Sequence, residues 1–211
     1  MTTITLYNKA ECPFCWKIRL ALAELGLATQ VIDHQDEQHL ATWQALTPNK
    51  TVPVLVHNDI VIYESNVILE YLNDITNNLL LKSPSDRVMP RLINQYSDSV
   101  VGKGLREVIF EKRGKVEHEW DITRINSGVE LFEIALAHLS TQLGDKEFFA
   151  GHYSFAECAL TARFGLAEAY GVEIPSRFAN LKAWLLRMKS RPSYQQTAPQ
   201  ICFKNQQRQL I

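Results

Sequence analysis

The feature that most constrains the fold is a change of hydrophobic period partway along the chain. Before Asn77, period-two stretches alternate with helical ones; after it, only the helical period remains. Residues 3–7 alternate apolar and polar side chains and read as a strand. Residues 13–25 read as a helix with Ile18, Leu22 and Leu25 on one face, Ala21 beside them, and Gly26 placed to end it. Residues 28–33 read as a second strand, and residues 37–46 as a more polar helix stopped before Pro48. Residues 54–57 and 60–62 are short strands around the turn signal Asn58-Asp59. Residues 64–75 form a further helix, with Val67, Ile68 and Tyr71 expected on its inner side. The predicted order is β-α-β-α-β-β-α.

Residues 77–85 hold Asn-Asn and Ser-Pro and read as a linker. Beyond it, apolar residues recur at Ile122, Ile125, Val129, Phe132, Leu136, Leu139 and Leu143, in steps of three and four that mark one long amphipathic helix. Phe155, Ala159, Ala162, Leu166 and Ala169 mark another. Phe178, Leu181, Leu185 and Met188 mark a third, closed by Arg191-Pro192. Val88, Leu92, Tyr96 and Val100 predict a helix directly after the linker, its far end blurred by Gly102, Gly104 and Gly114. The expected class is therefore α/β followed by all-α: an N-terminal domain of residues 1–78 and an all-helical domain of residues 85–211.

Charge narrows the function. Lys plus Arg number 22 and Asp plus Glu 23, so the basic footprint of a general nucleic-acid binder is missing. No apolar run approaches the roughly 20 residues that cross a bilayer. The opening residues lack a charged segment followed by an apolar one, so the expected location is cytoplasmic. Four cysteines in a chain of 211 residues do not make a disulfide scaffold.

Two of those cysteines, Cys12 and Cys15, stand three apart between the first strand and the first helix. Cys12 falls in the N-cap region, with Pro13 at the first helical position. Unpaired N–H groups and the positive end of the helix dipole then favour thiolate over thiol. Helix N-terminal thiols fall to a pKa of about 3.5–7.5, against about 8.5 for a free one. Cys12 is the expected nucleophile; Cys15 is a resolving thiol or a packing residue. Lys9 and Lys17 are near in sequence. Half of a zinc site is the competing use of such a pair, but Cys158 and Cys202 are isolated, so no metal is expected. Cys158, among apolar helical residues, reads as a core cysteine.

Three segments carry a resemblance: Cys12-Pro13-Phe14-Cys15, then Thr51-Val52-Pro53-Val54-Leu55, then Tyr63-Glu64-Ser65-Asn66-Val67-Ile68. They resemble the thioredoxin-like N-terminal domain of cytosolic glutathione transferases. Ser154-Phe155-Ala156-Glu157, after Gly151, is similar to the N-capping box of that family's helical domain. A cysteine at the nucleophile position resembles the omega-like cysteine classes, and the paired form is also similar to glutaredoxins.

The resemblance implies glutathione as co-substrate, with Cys12 and Cys15 as the catalytic pair. Its implied glutathione contacts are Phe14, His39, Val52, Pro53, Glu64 and Ser65. Val52-Pro53 is a candidate cis bond that offers the Val52 backbone to an extended peptide, or else a strand-edge proline. Glu64 would take an ammonium, and Ser65 with the free N–H groups of its helix a carboxylate, or Ser65 is a simple cap. His39 stands where omega-like enzymes carry a lysine for the glycyl carboxylate; it is a contact or a surface residue. Lys50 is a contact or a turn residue. Tyr96 and Val100 are expected to line the pocket for a small electrophile or disulfide. The mixed-sign stretch 103–119 reads as a solvated helix face.

The resulting expectation is a cysteine-type, glutathione-dependent thioltransferase or reductase that forms a homodimer. The alternatives are a two-domain glutaredoxin and a non-catalytic protein of the stringent-starvation type that binds RNA polymerase.

Overall fold

The computed structural model describes residues 3–201. Cys202 and the tail 205–211 lie outside the described residues. Strands β1 (Ile4–Asn8), β2 (Thr29–Asp33), β3 (Val54–His57) and β4 (Ile60–Tyr63) form one sheet in the order β2-β1-β3-β4. β1 and β2 are parallel, and β3 is antiparallel to both β1 and β4. The parallel pair needs a crossover, which α1 (Pro13–Glu24) supplies. α2 (Leu40–Ala45) and α3 (Ser65–Thr76) complete the first lobe. Then come α4 (Val88–Tyr96), a π-helical turn at Ser97–Val101, α5 (Gly102–Gly114), α6 (Ile122–Leu143), α7 (Phe155–Ala169), α8 (Ala179–Lys189) and α9 (Pro192–Thr197). A thioredoxin-like sheet domain is thus followed by a helical one, as the change of period requires.

The first core lies between one sheet face and the helices α1 and α3. Leu6, Ile18, Leu55, Ile68, Leu69 and Leu72 meet there with no exposed surface. Burying each such side chain stabilises the fold by about 1.5–3 kcal/mol. Phe155 and Cys158 of α7 belong to this same cluster. Tyr7, Ile32, Trp43 and Val54 cover the opposite face. The reverse trespass also occurs. Trp16 and Leu20 of α1 are 1% exposed and sit in the helical domain's core. The Trp16 indole donates to Thr197 Oγ1 at 3.1 Å. A side chain at Gly165 would meet the Trp16 ring at 2.5 Å, so glycine lets α7 approach it. Arg191 and Ser193 both donate to the Glu24 carboxylate, adding a second tie across the lobes.

Five expectations are corrected. Val67 is 54% exposed, and the inner row of α3 is Ile68, Leu69 and Leu72. α2 starts at Leu40 because Asp36 accepts from Gln38 N and His39 N in a turn of its own. The linker is docked: Leu79 and Leu80 are buried, and Leu80 N donates to Asn73 Oδ1 at 2.9 Å. In α4 the inward row is Pro90, Ile93 and Asn94, continued by Ser97 and Val101. Val88 and Leu92 point to solvent at 52% and 57% exposure. Proline, asparagine and serine occupy inward places, so an apolar count selects the wrong face. The three glycines do not break the following helix. Gly104 meets the backbone of Gly128 so closely that an added Cβ would lie 2.7 Å from its carbonyl oxygen.

Candidate active site

Cys12 is the N-cap of α1, with φ −91° and ψ 121°, and Pro13 is the first helical residue. Its carbonyl accepts from Trp16 N at 2.8 Å. The proline has no N–H of its own, so the first free donors belong to Phe14 and Cys15. The thiol is lowered to about 6. A hydrogen bond from the Cys15 side chain is the largest cause, and burial opposes it. The N–H groups of Cys15 and Phe14 and the positive charge of Arg163 add to the lowering. Cys15 goes the other way: it is fully buried, and desolvation followed by the Cys12 neighbour holds its thiol well above the ordinary value. The Lys9 backbone N–H donates to Cys15 Sγ at 3.4 Å. One sulfur is poised as the anion and the other as the donor that supports it.

Behind them lies a buried polar cluster joining both lobes. Lys17, 1% exposed, donates to Asp98 at 2.6 Å, Asn66 at 2.6 Å and Asn94 at 3.2 Å. Arg163 of α7, 7% exposed, reaches the other Asp98 oxygen at 3.4 Å and lies 4.7 Å from the centre of the Phe14 ring. Asp98 stands in the π-helical turn. Such turns often mark functional places in a helix. Two buried cations share this one carboxylate, so the cluster carries an excess positive charge. A nearby thiolate is an anion that can offset it. Gly102 supplies the space: a Cβ there would fall 2.7 Å from the Arg163 guanidinium carbon.

Two cavities meet at Phe14 and Asp98, which line both. The larger, about 600 Å³, holds Cys12 together with Pro13, Gly102, Phe110 and Arg163. The smaller, about 430 Å³, is lined by Thr51, Val52, Pro53, Glu64, Ser65 and Gln95 among others. The Val52-Pro53 bond is cis. Glu64 sits at φ +65°, uncommon for a residue with a side chain and a frequent mark of a binding site. It is the N-cap of α3 without a side-chain cap hydrogen bond, and Ser65 is the first residue of the helix. Ser65 is therefore not the capping residue, and no N-cap side chain bonds the first N–H groups of α3, whose Glu64 and Ser65 line the cavity.

The structure brings together Cys12, Cys15, Phe14, Val52, Pro53, Glu64 and Ser65. His39 lines neither cavity; it faces Asp36 at 3.3 Å at the start of α2. Lys50 lines neither and occupies a turn with φ +49°. Tyr96 and Val100 line neither of these two cavities: Tyr96 packs on His138 and against the helical core, and Val100 is 37% exposed. Asp98, Ser99 and Gly102 take the side of this segment that faces the larger cavity. Lys17 turns away from Cys12 towards Asp98, and Arg163 acts on the thiol instead. The stretch 103–119 is more than a solvated face: Lys103, Arg106, Phe110 and Arg113 line the larger cavity, and Glu111 is buried. The sequence reading gives no role to Arg163 or Asp98 and takes Gly102 only as a glycine that blurs a helix end. The signal for Arg163 was a lone charge within the apolar run of α7, since a buried charge demands a partner.

The capping box of α7 is present. Ala156 N donates to Ser154 Oγ, and Ser154 N donates to Glu157 Oε2 at 3.0 Å. Cys158 is a core cysteine, fully buried, its thiol raised to about 12 by desolvation. Among the described residues no three His, Cys, Asp or Glu side chains are grouped to hold a metal ion, and no helix is long and apolar enough to cross a membrane.

Comparison with known proteins agrees with this architecture. The chain is 30% identical over 194 residues to a probable glutathione S-transferase of Nicotiana tabacum, covering 87% of this chain and 82% of that protein. It is 25% identical over 200 residues to a stringent starvation protein A homolog of Pasteurella multocida, covering 92% and 89%. In three dimensions it resembles the theta class glutathione S-transferase of Xanthomonas axonopodis pv. citri, crystallised with glutathione, with a TM-score of 0.84 over 95% of this chain and 99% of that one at 23% identity. Residues 6–78 match the family described as glutathione S-transferase, N-terminal domain. With its sheet, its helical lobe and nearly its whole length accounted for, the chain belongs to the glutathione S-transferase superfamily.

Proposed function

We propose that this protein is a cysteine-type, glutathione-dependent thioltransferase. The observation that carries the reading is the placement of Cys12: an N-cap sulfur with a depressed thiol pKa, on a cavity that meets a second one lined by Val52, Glu64 and Ser65. Glutathione suits the second cavity. Its γ-glutamyl carboxylate matches the open N–H groups of α3, and its ammonium matches Glu64. The glutathione-bound state of the Xanthomonas structure supports this assignment.

The chemistry is thiol–disulfide exchange. The Cys12 thiolate attacks the glutathione sulfur of a mixed disulfide. A sulfur–sulfur bond forms to Cys12, the old one breaks, and the substrate thiolate leaves and takes a proton. A second glutathione thiolate then attacks the Cys12–glutathione disulfide, releasing the Cys12 thiolate and oxidised glutathione. Each mixed disulfide reduced consumes one free glutathione and yields one oxidised glutathione. Cys15, buried and hard to ionise, supports the first sulfur, so a monothiol route suffices. A homodimer in the cytoplasm is the assembly and setting proposed with this activity.

The test is reduction of hydroxyethyl disulfide alongside conjugation of a chlorodinitrobenzene-type electrophile. Cys12→Ser should abolish the first, and Cys15→Ser should retain it. Full reduction by Cys12→Ser would overturn the assignment. A second reading, a binding protein, is favoured by the similarity to the stringent starvation protein A homolog. Failure of glutathione to bind at millimolar concentration would select it.

A further inference from the structure

Resting on Cys12 as the reacting thiol, we propose that the larger cavity selects substrates with an aromatic or other apolar body and an anionic, carboxylate-type head. The three carboxylates lining it are already engaged. Glu11 pairs with Arg113 at 2.9 Å and accepts from the Tyr170 hydroxyl at 2.5 Å. Asp98 is held by Lys17 and Arg163. Glu107 pairs with Arg124 at 2.5 Å. Lys9, Lys103 and Arg106 line the same cavity, are exposed, and have no ion-pair partner among the described residues. The charges left to face a ligand are therefore positive.

The walls between these cations are apolar. Phe14 and Phe110 are 37% and 48% exposed, and the Arg106 guanidinium lies 5.2 Å from the centre of the Phe110 ring. That arrangement puts a fork able to hold a carboxylate through two parallel hydrogen bonds beside a ring able to stack on an aromatic body. The smaller cavity is the opposite: Glu64 and Asp98 line it and no lysine or arginine does. A head that carries only negative charge is drawn to the larger cavity, whereas the smaller one, with Glu64 on its lining, suits a group that brings an ammonium as well. Its reactive end then lies beside Cys12.

Dithiobis(nitrobenzoate), an aromatic disulfide with two carboxylates, and dithiodipyridine, its uncharged counterpart, make the test. The Cys12 thiolate attacks one sulfur of the probe, a mixed disulfide forms, and one aryl thiolate leaves. Single-turnover rates for each probe are divided by the rate of that probe with mercaptoethanol, which removes the probes' intrinsic difference. The anionic probe should be preferred about fivefold to tenfold at low salt, as expected for two or three unscreened charges near the rim. The preference should shrink in about 1 M NaCl, where the Debye length is near 3 Å. The double variant Lys103→Gln, Arg106→Gln should bring the ratio close to unity, whereas Lys182→Gln on α8, outside the cavity, should leave it unchanged. A ratio at or below one in the unaltered protein, or no change in the double variant, overturns the selectivity. A Cys12 that reacts with neither probe, shown by identical traces for Cys12→Ser, overturns the exchange reading and the selectivity with it.

Discussion

Two helices of this molecule begin beside a cysteine, and the two sulfurs could hardly differ more. α1 opens on Cys12, α7 on Ser154 with Cys158 one turn later. Both helix ends present unpaired N–H groups and a positive dipole. In α7 those groups are consumed internally. Ser154 and Glu157 form the capping box, and Glu157 also accepts from Phe149 N at 2.9 Å. Cys158 is then fully buried in the core, with the Tyr153 hydroxyl at 3.6 Å, and stays a thiol. In α1 no side chain caps the end, Pro13 removes one donor, and the rest face a sulfur on a cavity backed by Arg163. A helix start becomes a reactive place when its donors are left unspent and a cation stands behind them.

Substitutions sharpen that contrast, beginning with the sulfurs. Cys12→Ser should lower thioltransferase turnover by about 1000-fold or more, the scale seen when a nucleophile is removed. Cys158→Ala should keep turnover and lose about 1 kcal/mol of stability to a small cavity. Equal activity losses in the two would erase the distinction. Next is the box. Glu157→Ala strands Phe149 N, Ser154 N and the Ser154 hydroxyl in the interior. Unfolding in urea should show a loss of about 3 kcal/mol. A loss below 1 kcal/mol would mean the box is decoration.

Alkylation against pH gives a smaller but more direct measure. The thiolate is the reactive form, so a lowered pKa moves the rise in rate to lower pH. Iodoacetamide should label Cys12 with a midpoint near pH 6 and leave Cys158 unlabelled. At pH 6 the larger thiolate fraction gives Cys12 roughly a 100-fold advantage over free cysteine, of which weaker nucleophilicity returns about tenfold. A net gain near tenfold is expected, vanishing at about pH 7.5. Arg163→Gln should move the midpoint upward, since a stabilising charge is removed. An unchanged midpoint would take Arg163 out of the account. Smallest of all, Ser154→Ala should cost about 0.5–2 kcal/mol and leave the Cys12 profile in place.

The sequence carried what local chemistry can carry. The change of period announced both lobes. Cys12-Pro13 announced an N-cap sulfur, and Ser154 with Glu157 announced a capping box. What it hid depends on distance along the chain. Lys17, Asp98 and Arg163 lie 65 or more positions apart at their contacts, and no spacing rule links them. The inward row of α4 and the π-helical turn carries Asn94 and Ser97 where an apolar residue is expected. Val67 points outward against expectation because apolar residues are common on surfaces, and only contact tells which face is covered.

Trp16 has a further consequence. It belongs by sequence to the first lobe and by packing to the second, wedged where Gly165 leaves room and fastened to Thr197. The helix that carries the reactive sulfur is therefore a shared beam rather than a part of either module. Severing the chain at the linker would leave a bulky indole with no shelter, and grafting the first lobe onto a foreign helical partner would demand that the partner carry a matching notch. The two halves can be exchanged between relatives only as a matched set.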